Sequence, residues 1–232
     1  MKKPRFTPLQ ILAHLGGWVP LALIVYNFFT NNLTANPIQA IEQQTGIHAL
    51  TFLLFSLACT PLASIFGWKE LLQRRKALGN YGFMYAAIHV TIFIGLDYGF
   101  DLNAILRDVG TKWYILVGLV AFLLLLPLAL TSFKYWMKRL GKNWKRLHKL
   151  VYLISPIVAF HFLLSVKGDL TRLQGNILQP ILYGSIALIL LALRITPVKT
   201  ALIGLRNRLQ NAFQGVKPQP RTIEIDKKRE TA

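Results

Sequence analysis

The sequence predicts an all-α membrane protein: a bundle of six transmembrane helices with both termini in the cytoplasm. Three observations lead there. Hydrophobic residues make up 53% of the chain, mean hydropathy is +0.42, and only 16% of residues are charged. The apolar residues fall into six long blocks, each near the ~20 residues a helix needs to cross a hydrocarbon core of ~30 Å. The cations crowd onto alternate connections between those blocks.

In chain order the predicted spans are Leu9–Phe29, Gly46–Phe66, Leu78–Leu96, Trp113–Phe133, Leu147–Val166 and Ile177–Ile195. Met1-Lys2-Lys3-Pro4-Arg5 followed by an apolar run resembles a signal peptide. That run exceeds the usual ~7–15 residues and carries His14 and Pro20, so a retained first helix is expected. Pro61, Pro127 and Pro156 fall inside spans, where kinks rather than breaks are expected, because membrane helices tolerate proline. The connections are short and no repeat is evident. Residues 1–196 therefore read as one six-span domain. Residues 197–232 read as a basic, amphipathic or disordered cytoplasmic tail. In it Leu202, Leu205, Leu209 and Phe213 follow helical spacing, suited to the headgroup plane of membrane lipid.

Charge placement sets the orientation. The 27 Lys and Arg residues divide 23 to 4 between the two sides, and the nine acids four to five. The positive-inside rule then puts both termini in the cytoplasm. The formal net charge of +18 would suit a nucleic-acid binder, but such a domain is polar and spreads its charge along a face. No nucleic-acid partner is expected. The single cysteine, Cys59, excludes a disulfide scaffold, and the apolar content excludes a disordered chain.

Ionisable residues inside a membrane are expensive and usually functional. Here they are nearly all histidine: His14, His48, His89, His148 and His161. At ~1.5 Å per residue, His89 lies about 16 Å into the third span and His161 about 20 Å into the fifth, both entered from the cytoplasm. The two match in depth towards the outer leaflet, so one haem iron fits between them. His148 stands at the inner mouth of span five, about 20 Å from His161, which suggests a second haem. Its partner is open: Lys76, not a histidine, stands thirteen residues before His89. His14 is a further candidate ligand, and His48 is expected as an exposed interfacial residue. A buried histidine can equally serve by hydrogen-bonding a neighbouring helix. No CxxC, HExxH, P-loop or GxSxG motif is present.

Several blocks then carry a resemblance: Asn36-Pro37 through Thr45-Gly46, Thr60-Pro61-Leu62, Arg74-Arg75 with Leu78-Gly79, Tyr85 to His89, and Leu140-Gly141-Lys142-Asn143-Trp144-Lys145-Arg146-Leu147-His148 on to His161-Phe162. Over about residues 9–196 the chain resembles the haem-binding membrane subunit of the bacterial periplasmic methionine sulfoxide reductase system, within the ferric-reductase-like transmembrane group. It departs from the family at Thr111-Lys112-Trp113-Tyr114 and at Leu164.

The resemblance implies b-type haem, one or two, on His89, His148 and His161, and a bacterial inner-membrane location. It implies a periplasmic molybdopterin-containing catalytic subunit as partner, and electrons from the quinone pool or a flavin. FMN is associated with some members. The expected role is a non-catalytic relay for the repair of oxidised envelope methionines. The outer loops, with Asp97, Asp101 and Asp108, are the expected docking surface, although solvation explains those charges equally. Two alternatives stay open: a stand-alone transmembrane cytochrome b or ferric reductase, and a histidine-containing small transporter.

Overall fold

A computed structural model of the chain describes residues 7–166, 168–169 and 174–213. The basic residues Lys2, Lys3, Arg5, Lys167 and Arg172, and the tail from residue 214, lie outside the described residues.

Helix α1 (Pro8–Phe29) starts where Thr7 Oγ1 accepts the amide of Gln10 at 3.3 Å. Helix α2 (Pro37–Phe66) is capped the same way by Asn36, whose Oδ1 accepts from the Gln39 amide at 3.1 Å. Each opens on proline, where a missing N–H costs no helical bond. Helix α3 (Glu70–Ile92) continues through a π turn, Phe93–Asp97. Then come α4 (Leu102–Thr111), α5 (Trp113–Leu130), α6 (Lys134–Leu140) and α7 (Lys142–Leu147). A 3-10 turn, His148–Leu150, leads into α8 (Val151–Ser165). Gly168–Asp169 pairs antiparallel with Gln174–Gly175. Helices α9 (Leu178–Ala192) and α10 (Thr196–Phe213) complete the chain.

By length and composition five helical stretches can each cross a membrane: α1, α2, α3 with its π turn, α5, and α7 with α8. The sixth is a bent pair, α9 and α10, that turns by 85°. The fold is therefore the predicted all-α membrane bundle, with differences at the ends of elements. Helix α2 begins nine residues before the predicted span and α3 eight residues before. Helix α4 forms inside what reads as a loop, and a two-residue hairpin joins α8 to α9. The spans continue through Pro20, Pro61, Pro127 and Pro156.

Helix α2 is the hub. It packs against α1, α3, α8, α9 and α10, and α5 joins the bundle through α3 and α8. Lipid is as apolar as leucine, so close backbone approach rather than water exclusion holds membrane helices together. Gly82 shows it: a Cβ there would stand 3.2 Å from the Leu53 amide nitrogen and 3.3 Å from the Ala49 carbonyl of α2. The core between α2, α3, α5 and α8 is filled by Leu53, Leu125, Leu128 and Ile154. Glu42, Asp97, Asp101 and Asp108 mark one end of the bundle, here the acidic end. Arg74, Arg75, Arg194 and the α6–α7 lysines mark the other, the basic end.

Candidate haem-ligand site

Near the acidic end two histidines from different helices face each other. His89 on α3 lies across α2, and its Nδ1 stands 2.9 Å from the carbonyl oxygen of Glu42. His161 on α8 lies across α5, with Nδ1 2.7 Å from the carbonyl oxygen of Tyr114. A carbonyl only accepts, so each Nδ1 carries the hydrogen and donates it. Each Nε2 is then left with a bare lone pair, the form that binds a metal. Donation of the second ring nitrogen to a backbone carbonyl is also how metal-binding imidazoles are held in orientation.

One turn beyond each carbonyl stands a glycine that makes room for the ring. A Cβ on Gly118 would lie 2.7 Å from His161 Cε1 and 2.8 Å from its Nδ1. On Gly46 it would lie 3.3 Å from His89 Cε1 and Nδ1. The two cradles are built alike. Each histidine follows the residue whose carbonyl accepts from it by 47 residues and its glycine by 43.

The ring centroids of His89 and His161 are 6.2 Å apart, with the planes at 76°. Two imidazole nitrogens at ~2 Å from one metal, plus the depth of each ring, give a separation of about 6 Å. The spacing thus fits two imidazoles that would hold one iron between them. A haem held by both rings would supply electron-transfer chemistry. Among the described residues no group of three or more His, Cys, Asp or Glu side chains converges as a metal site.

The structure does not bring the other three histidines to this pair. His148 sits at the basic end with a carbonyl near each nitrogen, Trp144 O 3.1 Å from Nδ1 and Leu128 O 3.2 Å from Nε2, and a neutral ring donates to one of the two. Its ring lies 4.1 Å from that of Trp144, whose Nε1 donates to Thr131 O at 2.9 Å. Trp144 thus covers a carbonyl that the end of α5 leaves without a helical partner, and Leu128 O, beside His148, also accepts from Ser132 Oγ at 2.8 Å. Gly141, at φ 50° and ψ −119°, permits the break between α6 and α7 that brings them there. His14 is exposed on α1, with Nδ1 2.9 Å from the Tyr81 hydroxyl. His48 is half-buried rather than exposed, its ring 5.3 Å from that of Tyr85.

Sequence reasoning missed Glu42, Gly46, Tyr114 and Gly118 as the frame of the pair. The signal was present as the equal 43-residue offset from glycine to histidine in the two halves. The expected docking acids are partly engaged within the chain. Asp101 Oδ1 caps α4 by accepting from the Ala104 amide at 3.0 Å. Asp108 Oδ2 accepts from the Tyr98 hydroxyl at 2.6 Å and from Lys112 Nζ at 2.7 Å.

Comparison with known proteins gives this geometry its setting. Residues 45–159 match the family model described as ferric reductase like transmembrane component. A protein of Herminiimonas arsenicoxydans named protein-methionine-sulfoxide reductase heme-binding subunit MsrQ is 37% identical over 193 residues, covering 83% of this chain and 86% of the relative. The chain belongs to the MsrQ family. Other MsrQ heme-binding subunits are similarly close. That of Rhodospirillum rubrum is 41% identical, over 77% of this chain and 83% of its own. That of Xanthomonas euvesicatoria is 38% identical, over 80% and 85%. No solved structure matches the chain at a significant level. As a member of the MsrQ family the chain is a multi-pass membrane protein of the electron-transfer kind.

Proposed function

We propose that this chain carries electrons across the bacterial inner membrane, through b-type haem held by His89 and His161, to a periplasmic molybdopterin-containing methionine sulfoxide reductase. The observation that carries the reading is the facing pair, each ring fixed by an Nδ1–H donated to a carbonyl and the two centroids 6.2 Å apart. Bound there, haem supplies a one-electron ferric–ferrous couple. The protein's share is orientation: the carbonyls of Glu42 and Tyr114 fix the tautomers, and Gly46 and Gly118 let the rings seat. The donor is the quinone pool or a reduced flavin such as FMN, and both termini are cytoplasmic. The acidic end, nearer the pair, then faces the periplasm and the partner.

For His148 the resemblance implies a role in a second haem. That role requires its Nε2 to leave the Leu128 carbonyl. His14 would likewise have to present its ring away from Tyr81.

The test is optical. Full-length protein from haem-replete cells should show a low-spin b-type spectrum when oxidised and when reduced with dithionite. His89→Ala and His161→Ala should each abolish the haem of the pair. His148→Ala should lower the haem-to-protein ratio only if a second haem is present. A colourless wild-type protein, or unchanged haem content and redox titration in both pair variants, would overturn the assignment.

A further inference from the structure

Between Pro8 and Val25 helix α1 carries three polar side chains, Gln10, His14 and Trp18. With Thr7 at the cap they are spaced by three, four and four residues, so they share one stripe of an otherwise apolar helix. That stripe meets α3 twice at the same offset. Arg74 Nη2 donates to Thr7 Oγ1 at 3.2 Å, and the Tyr81 hydroxyl stands 2.9 Å from His14 Nδ1, each pair 67 residues apart. The two helices therefore run parallel from the basic end. Gly17 sets the contact, because it has no room for a Cβ against the Tyr81 ring.

His14 lies on the outside of this contact. Of α1 only Gly17 and Ile24 are buried, and His14 is exposed. It stands roughly 9 Å along the span from the basic end. Among the described residues its Nε2 has no hydrogen-bond partner. One turn on, the Trp18 indole is 56% exposed and stands edge-on to Tyr81. An imidazole with a free nitrogen facing hydrocarbon is costly. Packing does not require it, since the buried Tyr85 hydroxyl already ties α3 to α1 by donating to the Gly17 carbonyl at 2.9 Å.

A ligand that reaches this Nε2 must come sideways through lipid, bring a polar head that hydrogen-bonds, and lie beside an indole. The site serves it in two protonation states. The Tyr81 hydroxyl can accept from Nδ1–H, which leaves Nε2 to accept, or donate to Nδ1, which leaves Nε2–H to donate. A quinol hydroxyl answers the first and a quinone carbonyl the second.

We propose that His14, positioned by Tyr81 and flanked by Trp18, binds the headgroup of a lipid quinol and takes up its protons. The proposal deepens the electron-transfer reading and rests on it. Oxidation of one quinol to quinone removes two electrons and two protons. The electrons pass singly to two ferric haem equivalents, each reduced to ferrous. The two hydroxyl protons are taken up in turn at Nε2 and released to water at the basic end.

Full-length haem-loaded protein in phospholipid nanodiscs is reduced with decylubiquinol and, separately, with dithionite. His14→Gln keeps a hydrogen-bonding group but loses the base. It lowers the maximal rate with decylubiquinol roughly a hundredfold, while haem content and the dithionite-reduced spectrum match wild type. Tyr81→Phe keeps the ring on Gly17 and raises the KM about fivefold, the worth of one hydrogen bond, with a smaller change in maximal rate. Independently of haem, an azido-quinone photolabels the α1 peptide that contains His14, and excess decylubiquinone suppresses the label. Wild-type rate and KM in both variants overturn the proposal. So does loss of haem from His14→Gln, which makes His14 an iron ligand instead. A label that excess quinone does not displace marks ordinary lipid contact and overturns it too. Protein without haem whose α1 label is still displaced by quinone overturns the haem reading and leaves the quinol site standing.

Discussion

Gly118 makes the sharpest residue-scale demand. A methyl group added there would overlap the His161 ring, and overpacking of a closed site costs ~1–3 kcal/mol or displaces the side chain. Gly118→Ala is therefore expected to lower haem content, and Gly46→Ala to do so more mildly, since its contacts are at 3.3 Å. Gly16→Ala, with nothing within 4 Å, serves as the neutral control. Haem per protein in the three variants reads the order, and equal effects at Gly118 and Gly16 would refute the cradle. The same scale explains the most specific sequence block. Trp144 and His148 both meet carbonyls at the end of α5, and for His148 that packing role competes with an iron for Nε2.

Helix α4 shows what a short element can hide. Its sequence reads as an acidic loop, yet Asp101 caps it and Asp108 gathers Tyr98 and Lys112 at its end. Lys112 first, and Tyr98 second, hold the Asp108 carboxyl below its usual range. Burial, and then the bond to Asp108, pushes the Tyr98 phenol up to about 12. The signs are opposite. The Asp108 contribution is present above the ordinary carboxylate pKa and is lost as pH falls through the lowered value. The Tyr98 contribution is present below the ordinary phenol pKa and is lost as pH rises towards about 12. In an ultraviolet titration, the difference between wild type and Tyr98→Phe should isolate one phenol ionising near 12, and Asp108→Asn should move it down. A Tyr98 that titrates with the other tyrosines in wild type would show that the contact does not form.

For the molecule as a whole, orientation is the property on which the direction of electron flow depends. The only native cysteine, Cys59, is buried, so single cysteines can be introduced against a low background. Ala104→Cys on α4 should react with an impermeant maleimide added to intact spheroplasts. Lys138→Cys on α6 should react only after lysis. The reverse pattern would turn the bundle over and put the histidine pair on the cytoplasmic side. The 85° turn from α9 to α10 belongs to this scale too. It lays an amphipathic helix across the end of α2, where Arg206 Nη1 donates to the Ile65 carbonyl at 2.6 Å.

The spans, their order and the depth match of His89 with His161 were legible from the chain alone. Hydropathy and charge are local quantities, and a bilayer reads them along one axis, so a one-dimensional pattern suffices. The rotation of each helix about its axis was not legible. The spans are apolar on nearly every side, and no stripe marks the face that meets a neighbour. Tertiary packing decided that Nδ1 of each paired histidine meets a carbonyl and that Gly46 and Gly118 admit the rings. It also decided that His148 meets a carbonyl at the end of α5 and that Tyr81 reaches His14 where Gly17 admits its ring. Each of these depends on backbone groups of a second helix, and nothing in the hydropathy or charge of a single segment encodes which groups those are.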